Sequence, residues 1–295
     1  MLERGGRPLL LVVVPFLNES ELLPDLLDSL ARQSREADLV LLVDDGSTDG
    51  SIEVCRPFVE ERPNWRLIER PRRPPEADRL LRASVFRAFS EAFASVPDWD
   101  VAVKLDADLV LPPQHFEVIL DFLAANPRIG IAGAFLSAET PEGLIREEHP
   151  ASHVRGPNKF YRRACWDAIQ PLPPILGWDI IDETTARLRG WETASVELPG
   201  ADPVHRRKTG AHDGRVRAFR RWGVGQYAAG MPPLGILAGA ASRARQQPYV
   251  LGSAAYLTGW TQAAIRRVPR ASPEVRRKFR AEQHARIRRA LTGRT

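Results

Sequence analysis

"DLVLLVDDGSTDG" (38–50) and "VAVKLDADLVLP" (101–112) decide how this chain folds, because each is a short Val/Leu-rich run that ends in a burst of aspartates. A run that is apolar at successive positions, rather than at alternate ones, belongs to a strand buried on both faces. Two more such runs follow the same rule, "LLLVVVPF" (9–16) and "IGIAGAFL" (129–136). Helical periodicity fills the gaps: "ELLPDLLDSLARQ" (21–33) sets Leu22, Leu26, Leu30 and Leu23, Leu27 on one stripe, and 78–96 and 113–126 behave alike. Strands alternating with helices predict an α/β fold, a doubly wound, mostly parallel sheet with helices on both faces. In such sheets ligands bind beyond the carboxyl ends of the strands. The polar stretches "NES", "DDGSTDG" and "DAD" fall at those ends.

The chain has 295 residues, 43% of them hydrophobic, enough for a sizeable core. Two cysteines, Cys55 and Cys165, are too few for a disulfide framework or a thiolate metal site, so both are expected as buried hydrophobes in a reducing compartment. Arg4 and Arg7 before an apolar run resemble a secretion signal, but no small-residue cleavage site follows, and the run is read as a buried first strand. Net charge is +5, yet residues 203–295 carry 20 Lys/Arg against three acids while the residues before them carry 22 against 34. The front is therefore at −12 and the back at +17, which points the tail toward an anionic partner or a solvated helix face.

Asp106 and Asp108 supply hard oxygen donors at a strand end, suited to Mg²⁺ or Mn²⁺ bridging a diphosphate. Asp44, Asp45 and Asp49 combine with Gly46 and Gly50 in a turn that caps a helix at Ser47, Thr48 or Asp49. Capping leaves the adjacent pair Asp44 and Asp45 unexplained, and a carboxylate there can accept from a nucleobase N–H or from ribose hydroxyls.

In this order and spacing, "VVVPFLNE", "VDDGSTDG" and "KLDADLVLP" resemble the nucleotide-sugar-binding half of the family 2 glycosyltransferases, with the GT-A fold, over roughly residues 9–200. The resemblance implies an inverting, hexosyltransferase-like enzyme that moves a sugar from a nucleotide-diphospho-sugar donor to a glycan or polyprenyl-linked acceptor. It implies that Pro15 and Glu19 frame the nucleoside, that one of Asp44 and Asp45 contacts the base, and that Asp106 and Asp108 hold the cation, with Asp108 the more direct ligand. Lys104 and the helix arginines Arg79 and Arg82 are candidates to meet the donor nucleotide and its phosphates, the alternative for the arginines being plain surface exposure. "LGWDIIDETTARLRG" (176–190) matches the region of the catalytic base: Trp178 stands where the family more often has Glu, and Asp179 is assigned as base. Asp182 and Glu183, together with Trp178, are candidates to orient the base or bind acceptor, and Asp179 has the alternative of a helix cap. His205 is a candidate third metal ligand, or else a structural donor. "RAFRRWG" (217–223) has the Arg-Trp of processive relatives without their Gln, which implies single additions.

These expectations place a catalytic domain at 1–222, with a donor half at about 9–112 and an acceptor half at about 113–222, followed by a helical, basic extension at 223–295. Within the extension, 222–242 and 246–265 are uncharged but rich in Gly, Pro, Ser, Thr and Gln, which disfavours a spanning helix. They are read as an in-plane segment on an anionic membrane surface or as helices packing back on the protein or forming a dimer contact, with chemistry unaffected by loss of everything after about 243 provided that the segment is not also a packing element. The enzyme is expected in the cytoplasm or peripherally on the cytoplasmic membrane face, with no nucleic-acid partner. The rival readings are a nucleotidyltransferase of related fold, for which the Gly-rich phosphate loop is missing, and a non-catalytic protein binding nucleic acid or anionic surfaces.

Overall fold

The first apolar run becomes β1 (Leu10–Phe16), buried at every position, with each Val or Leu side chain contributing roughly 1.5–3 kcal/mol relative to exposure. The computed structural model that shows this describes residues 7–71, 84–140, 143–206, 214–245 and 248–292. β1 pairs in parallel with β2 (Leu39–Asp44) on one side and β4 (Val101–Leu105) on the other, in register Phe16 to Asp44 and Val13 to Lys104. The chain thus runs outward from β1 through β2 to β3 (Trp65–Glu69), then returns to the opposite side of β1 for β4. That reversal is the switch point at which the ends of β1, β2 and β4 line one crevice.

With β6 (Ile129–Ala134), β9 (Asn158–Arg162) and β10 (Glu192–Val196), these strands form a seven-stranded sheet in the order β10-β6-β9-β4-β1-β2-β3. All neighbours run parallel except β9, which is antiparallel to both β4 and β6. A second sheet of four short strands, β5 (Leu109–Val110), β11 (Val204–His205), β7 (Ser137–Thr140) and β8 (Gly143–Arg146), returns residue 205 to the edge beside residue 109.

Helices α1 (Leu23–Ala31), α2 (Ser51–Glu61), α3 (Ser84–Ser95), α4 (His115–Ala125) and α5 (Arg163–Ile169) accompany the large sheet. In α1, Pro24 occupies the first turn, where its missing N–H costs nothing, and Leu23, Leu26, Leu27 and Leu30 turn inward. Phe89 and Phe93 of α3 pack against Trp99, Tyr161 and Trp166, and Phe86 packs edge-on against Phe89, in stacked, tilted and edge-on pairs with centroids 5.0–6.4 Å apart, the spacing favoured by aromatic quadrupoles.

By compactness the chain divides elsewhere than at residue 222. One unit takes described residues 7–71, 84–170 and 189–206, and the other takes 171–188 and 214–292. The second unit is all helical: α6 (Trp178–Leu188), α7 (Arg215–Ala229), α8 (Pro233–Arg243), α9 (Val250–Ile265) and α10 (Pro273–Thr292). α7 and α9 cross at glycines. A Cβ on Gly223 would lie 2.0 Å from the Tyr256 carbonyl oxygen, and one on Gly259 only 1.9 Å from that of Arg220. The core around the crossing includes Leu176, Val224, Tyr227, Ala263 and Val268. The extension after 243 is therefore a packing element, so the condition under which its removal would spare the chemistry is not met.

Candidate active site

The loop after β2 is built around Asp44. Its carboxylate is buried, 1% exposed, and accepts hydrogen bonds from the backbone N–H groups of Gly46 and Ser47, each at 3.0 Å. Gly46 and Gly50, both at φ 94°, supply the left-handed conformations the turn requires. This loop is stitched to the one after β1. The N–H groups of Asn18, Glu19 and Ser20 donate to Ser47 Oγ, Ser51 Oγ and Asp49 Oδ2 at 2.8–3.0 Å, and Thr48 N–H donates to Asn18 Oδ1 at 2.8 Å. Burial tends to raise the Asp49 pKa, but hydrogen bonds from Ser51 and Ser20 outweigh it and hold the carboxyl down at about 2. The expected helix cap takes a different form: Gly50 is the N-cap of α2 and makes no side-chain cap, while Asp49 accepts from the Ser51 N–H and hydroxyl.

Asp45 pairs with Arg70, Nη1 to Oδ1 at 3.0 Å, with both side chains largely buried. Arg70 also reaches Glu91 at 2.6 Å, and its N–H donates to the Asp44 carbonyl. Sequence reasoning missed Arg70, since a lone arginine after a strand of mixed polarity carries no motif. Pro15 is buried within β1 opposite Val43, and Glu19 is half-buried at the start of the first loop. Arg79 and Arg82 lie outside the described residues.

At the end of β4, Lys104 is 2% exposed, and its ammonium pairs with Asp106 and donates to the Gly156 carbonyl at 3.0 Å. Lys104, expected as a nucleotide contact, is thus engaged in holding Asp106. The Asp106 N–H in turn donates to the Pro157 carbonyl. Asp108 meets His205, whose Nε2 lies 3.4 Å from Oδ2, because β11 pairs antiparallel with β5. Glu147 stands on the other side of the imidazole, 3.8 Å from Nδ1, and is itself paired with Arg155 at 2.7 Å. At that distance Glu147 acts on His205 through charge, and Nδ1 has no hydrogen-bond partner among the described residues. Burial disfavours the imidazolium, yet Asp108, Glu147 and Asp106 overcome this and raise the His205 pKa to about 9. Glu147 and Arg155 carried no signal in the sequence, as both lie in irregular stretches between short strands.

The field around Asp106, Asp108 and His205 thus selects positive charge, and carboxylates and an imidazole are donor types that a divalent cation takes. Among the described residues, however, no group of three or more His, Cys, Asp or Glu side chains is arranged to hold a metal ion by itself, so a cation here needs ligands from substrate or water.

In the helical unit, Asp179 occupies the first turn of α6 and is half-buried. Trp178 and Asp179 open the helix, while Asp182 and Glu183 turn inward at 0% and 2% exposure. Asp182 accepts from the Glu183 N–H at 2.6 Å. Glu183 pairs with Arg187 at 3.3 Å, and Arg187 makes two 3.0 Å hydrogen bonds to Glu282 of α10. Of the three acids of α6, Asp179 is the one that is not fully buried.

A doubly wound sheet whose acidic strand ends face one crevice defines the class, the GT-A glycosyltransferases. The chain belongs to glycosyl transferase family 2: the family's model matches residues 11–174, more than half of its length. It is 29% identical over 112 residues to the succinoglycan biosynthesis protein ExoA of Rhizobium meliloti (strain 1021), a match that covers 38% of this chain and 31% of that protein. Its fold is similar to that of a mannosyltransferase, PcManGT from Pyrobaculum calidifontis, solved with GDP-Man and Mn²⁺, with TM-score 0.56, 22% identity, and 88% of this chain and 76% of that one covered. It is likewise similar to S. aureus TarS 1-349 solved with UDP-GlcNAc, with TM-score 0.54, 15% identity, and 77% of this chain and 66% of the other covered. The family match ends before α6, so Asp179 lies beyond it.

Proposed function

We propose that the protein is an inverting, divalent-cation-dependent glycosyltransferase that uses a nucleotide-diphospho-sugar. The observation that carries this reading is the meeting of Asp106, Asp108 and His205 at the ends of β4 and β5, in a chain whose family acts on such donors. Asp45, held by Arg70 at the rim of the β2 loop, is the carboxylate placed to accept from the nucleobase or ribose, since Asp44 is committed to the loop's own amides. Glu19 and Pro15 back that loop. Asp106 and Asp108, with His205, would hold Mn²⁺ or Mg²⁺, which when bound neutralises the leaving diphosphate. Lys104 fixes the Asp106 carboxylate from below. Asp179 takes the proton of the acceptor hydroxyl, which as an alcohol is a poor nucleophile at neutral pH, so that attack at the anomeric carbon inverts its configuration. The acceptor is a glycan or a polyprenyl-linked sugar of a cell-envelope polysaccharide, a reading supported by the likeness to a succinoglycan biosynthesis protein. No helix among the described residues is long and apolar enough to cross a membrane.

The test pairs binding with turnover. Mn²⁺ added to wild type with a panel of UDP-, GDP-, dTDP- and CMP-sugars is expected to raise the melting temperature for one donor, by an amount equivalent to roughly 2.7 kcal/mol at a hundredfold excess over Kd. Asp108→Asn is expected to lose the Mn²⁺-dependent part of that shift together with transfer. Asp179→Asn is expected to keep the shift and lose transfer by roughly 10²–10⁴-fold. If Asp182→Asn shows the second pattern while Asp179→Asn stays active, the base is Asp182.

A further inference from the structure

Helices α8 and α9 form an antiparallel hairpin. Ser253 Oγ donates to the Ala240 carbonyl at 2.8 Å, and Trp260 Nε1 donates to the Met231 carbonyl at 3.1 Å. Its inner side is built from Ile236, Ala240, Ala255 and Tyr256. Its outer side is apolar as well. Leu234 and Leu237 stand 77% and 56% exposed on α8, and Tyr249, Val250 and Leu251 stand 51%, 72% and 67% exposed where α9 begins. Along α8 the exposed positions 234, 237, 238 and 241 follow helical spacing, so Leu, Leu, Ala and Ala make one outward stripe. A face of this kind, on a helix whose other face is already buried, needs an occupant.

Charge identifies the occupant. Between Asp213 and Glu274 the chain has no acidic residue and nine arginines. Exposed Arg245 lies at the hairpin's turn, next to an Arg243 that is held on the Gly239 carbonyl and the Tyr256 ring, and exposed Arg266 and Arg267 follow Ile265, itself 76% exposed, at the far end of α9. A second copy of this hairpin would bring the same cations against one another, whereas an anionic lipid surface offers apolar volume beneath a layer of phosphates. Each Lys or Arg near such a surface contributes about 1 kcal/mol, and the apolar side chains that enter it add to this. We propose that the α8–α9 hairpin docks the enzyme on an anionic bilayer, with Leu234, Leu237, Val250 and Leu251 entering the interface and the flanking arginines meeting headgroup phosphates. This deepens the reading of a lipid-linked acceptor and takes its purpose from it, but its physics stands on the hairpin alone.

The experiment is co-sedimentation of the full chain with vesicles of phosphatidylcholine, or of an equal mixture of phosphatidylcholine and phosphatidylglycerol, at low and high salt. It is run beside Leu234→Glu/Leu237→Glu and Val250→Glu/Leu251→Glu, whose sites are exposed and leave the fold intact as checked by circular dichroism. Wild type is expected on the mixed vesicles only, released by salt, and each double variant is expected to bind them roughly tenfold or more weakly with unchanged donor-induced thermal shift. Equal binding to both vesicle types, no binding, or a wild-type dimer that the variants convert to monomer would overturn the proposal. A chain that binds the mixed vesicles but shows no stabilisation by any nucleotide-sugar would leave the docking standing and remove the transferase reading instead.

Discussion

Asp44 keeps the amides of Gly46 and Ser47 paired inside the protein, and a buried amide left without a partner costs roughly 1–3 kcal/mol. Asp44→Ala is accordingly expected to destabilise the fold by about that amount. Asp45→Ala removes one carboxylate of the largely buried Arg70 pair but leaves Arg70 its second partner Glu91, and is expected to cost less stability than Asp44→Ala and to appear as a raised donor KM. Thermal denaturation beside donor titration separates the two, and equal stability losses would show that both aspartates are merely structural. His115 gives a second residue-scale outcome. It is fully buried, with Nε2 3.2 Å from Asn158 Oδ1, and burial pushes its pKa down to about 4 against a weaker upward pull from Asn158. Because the folded value lies below the unfolded 6.5, its contribution is complete above pH 6.5 and is lost as pH falls from there toward 4. At 1.36 kcal/mol per unit that amounts to roughly 3 kcal/mol. His115→Gln, which cannot titrate, is expected to flatten the acid limb of stability between those pH values; an unchanged limb would assign the acid sensitivity to other groups. The aspartates of the site were legible because they interrupt apolar runs where polar residues are otherwise out of place. Arg70, Glu147 and Arg155 were not, because each acts through a partner distant in sequence.

At the scale of elements, the glycine crossing of α7 and α9 reverses an ordinary rule. In an exposed helix, Gly→Ala is stabilising by about 1 kcal/mol because it reduces the freedom of the unfolded chain. At Gly259 the added methyl would meet the Arg220 carbonyl at 1.9 Å, and backbone cannot yield as a flexible side chain can. Overpacking of this kind costs typically 1–3 kcal/mol, so Gly259→Ala is expected to lower the melting temperature, and a rise would mean that the helices do not cross there. The same physics sets what the sequence shows of the elements. Strands β1, β2, β4 and β6 fall within the four apolar runs because both their faces are buried, and α1 and α4 follow their leucine and phenylalanine spacing. β9 does not announce itself, since Asn158 and Lys159 sit fully buried in it with partners from elsewhere in the fold. The four strands of the small sheet are two to four residues long, too short for a period to register. The hairpin of α8 and α9 is apolar on both sides, so its pattern points to no single buried face.

For the molecule as a whole, the acidic front and basic back suggest a catalytic body with a detachable cationic tail, and the packing argues otherwise. Tyr256 and Ala263 of α9, 1% and 0% exposed, lie in the helical core, and Val275 and Phe279 of α10 are buried as well. Glu282 completes the ion-pair chain from Glu183 through Arg187, whose pKa is raised because these two carboxylates outweigh its burial. A charge group of this kind loses more when one member is removed than it contributes as a pair, because the remaining buried carboxylate, Glu183 at 3% side-chain exposure, is left with a less anchored partner. Deleting residues after Arg243 therefore removes Ala255, Tyr256, Ala263 and Val268 from the helical core and a partner of α6 at once. The expected result is loss of cooperative melting in the helical unit and loss of transfer even to a soluble acceptor. Deleting only residues 285–295 keeps Glu282 and the α9 core, removes four of the arginines, and is expected to retain transfer while weakening attachment to anionic vesicles. Transfer by the chain ending at Arg243 at the wild-type rate would restore the tail to an appendage; its loss there, with retention in the chain ending at His284, places the C-terminal helices within the enzyme's working structure.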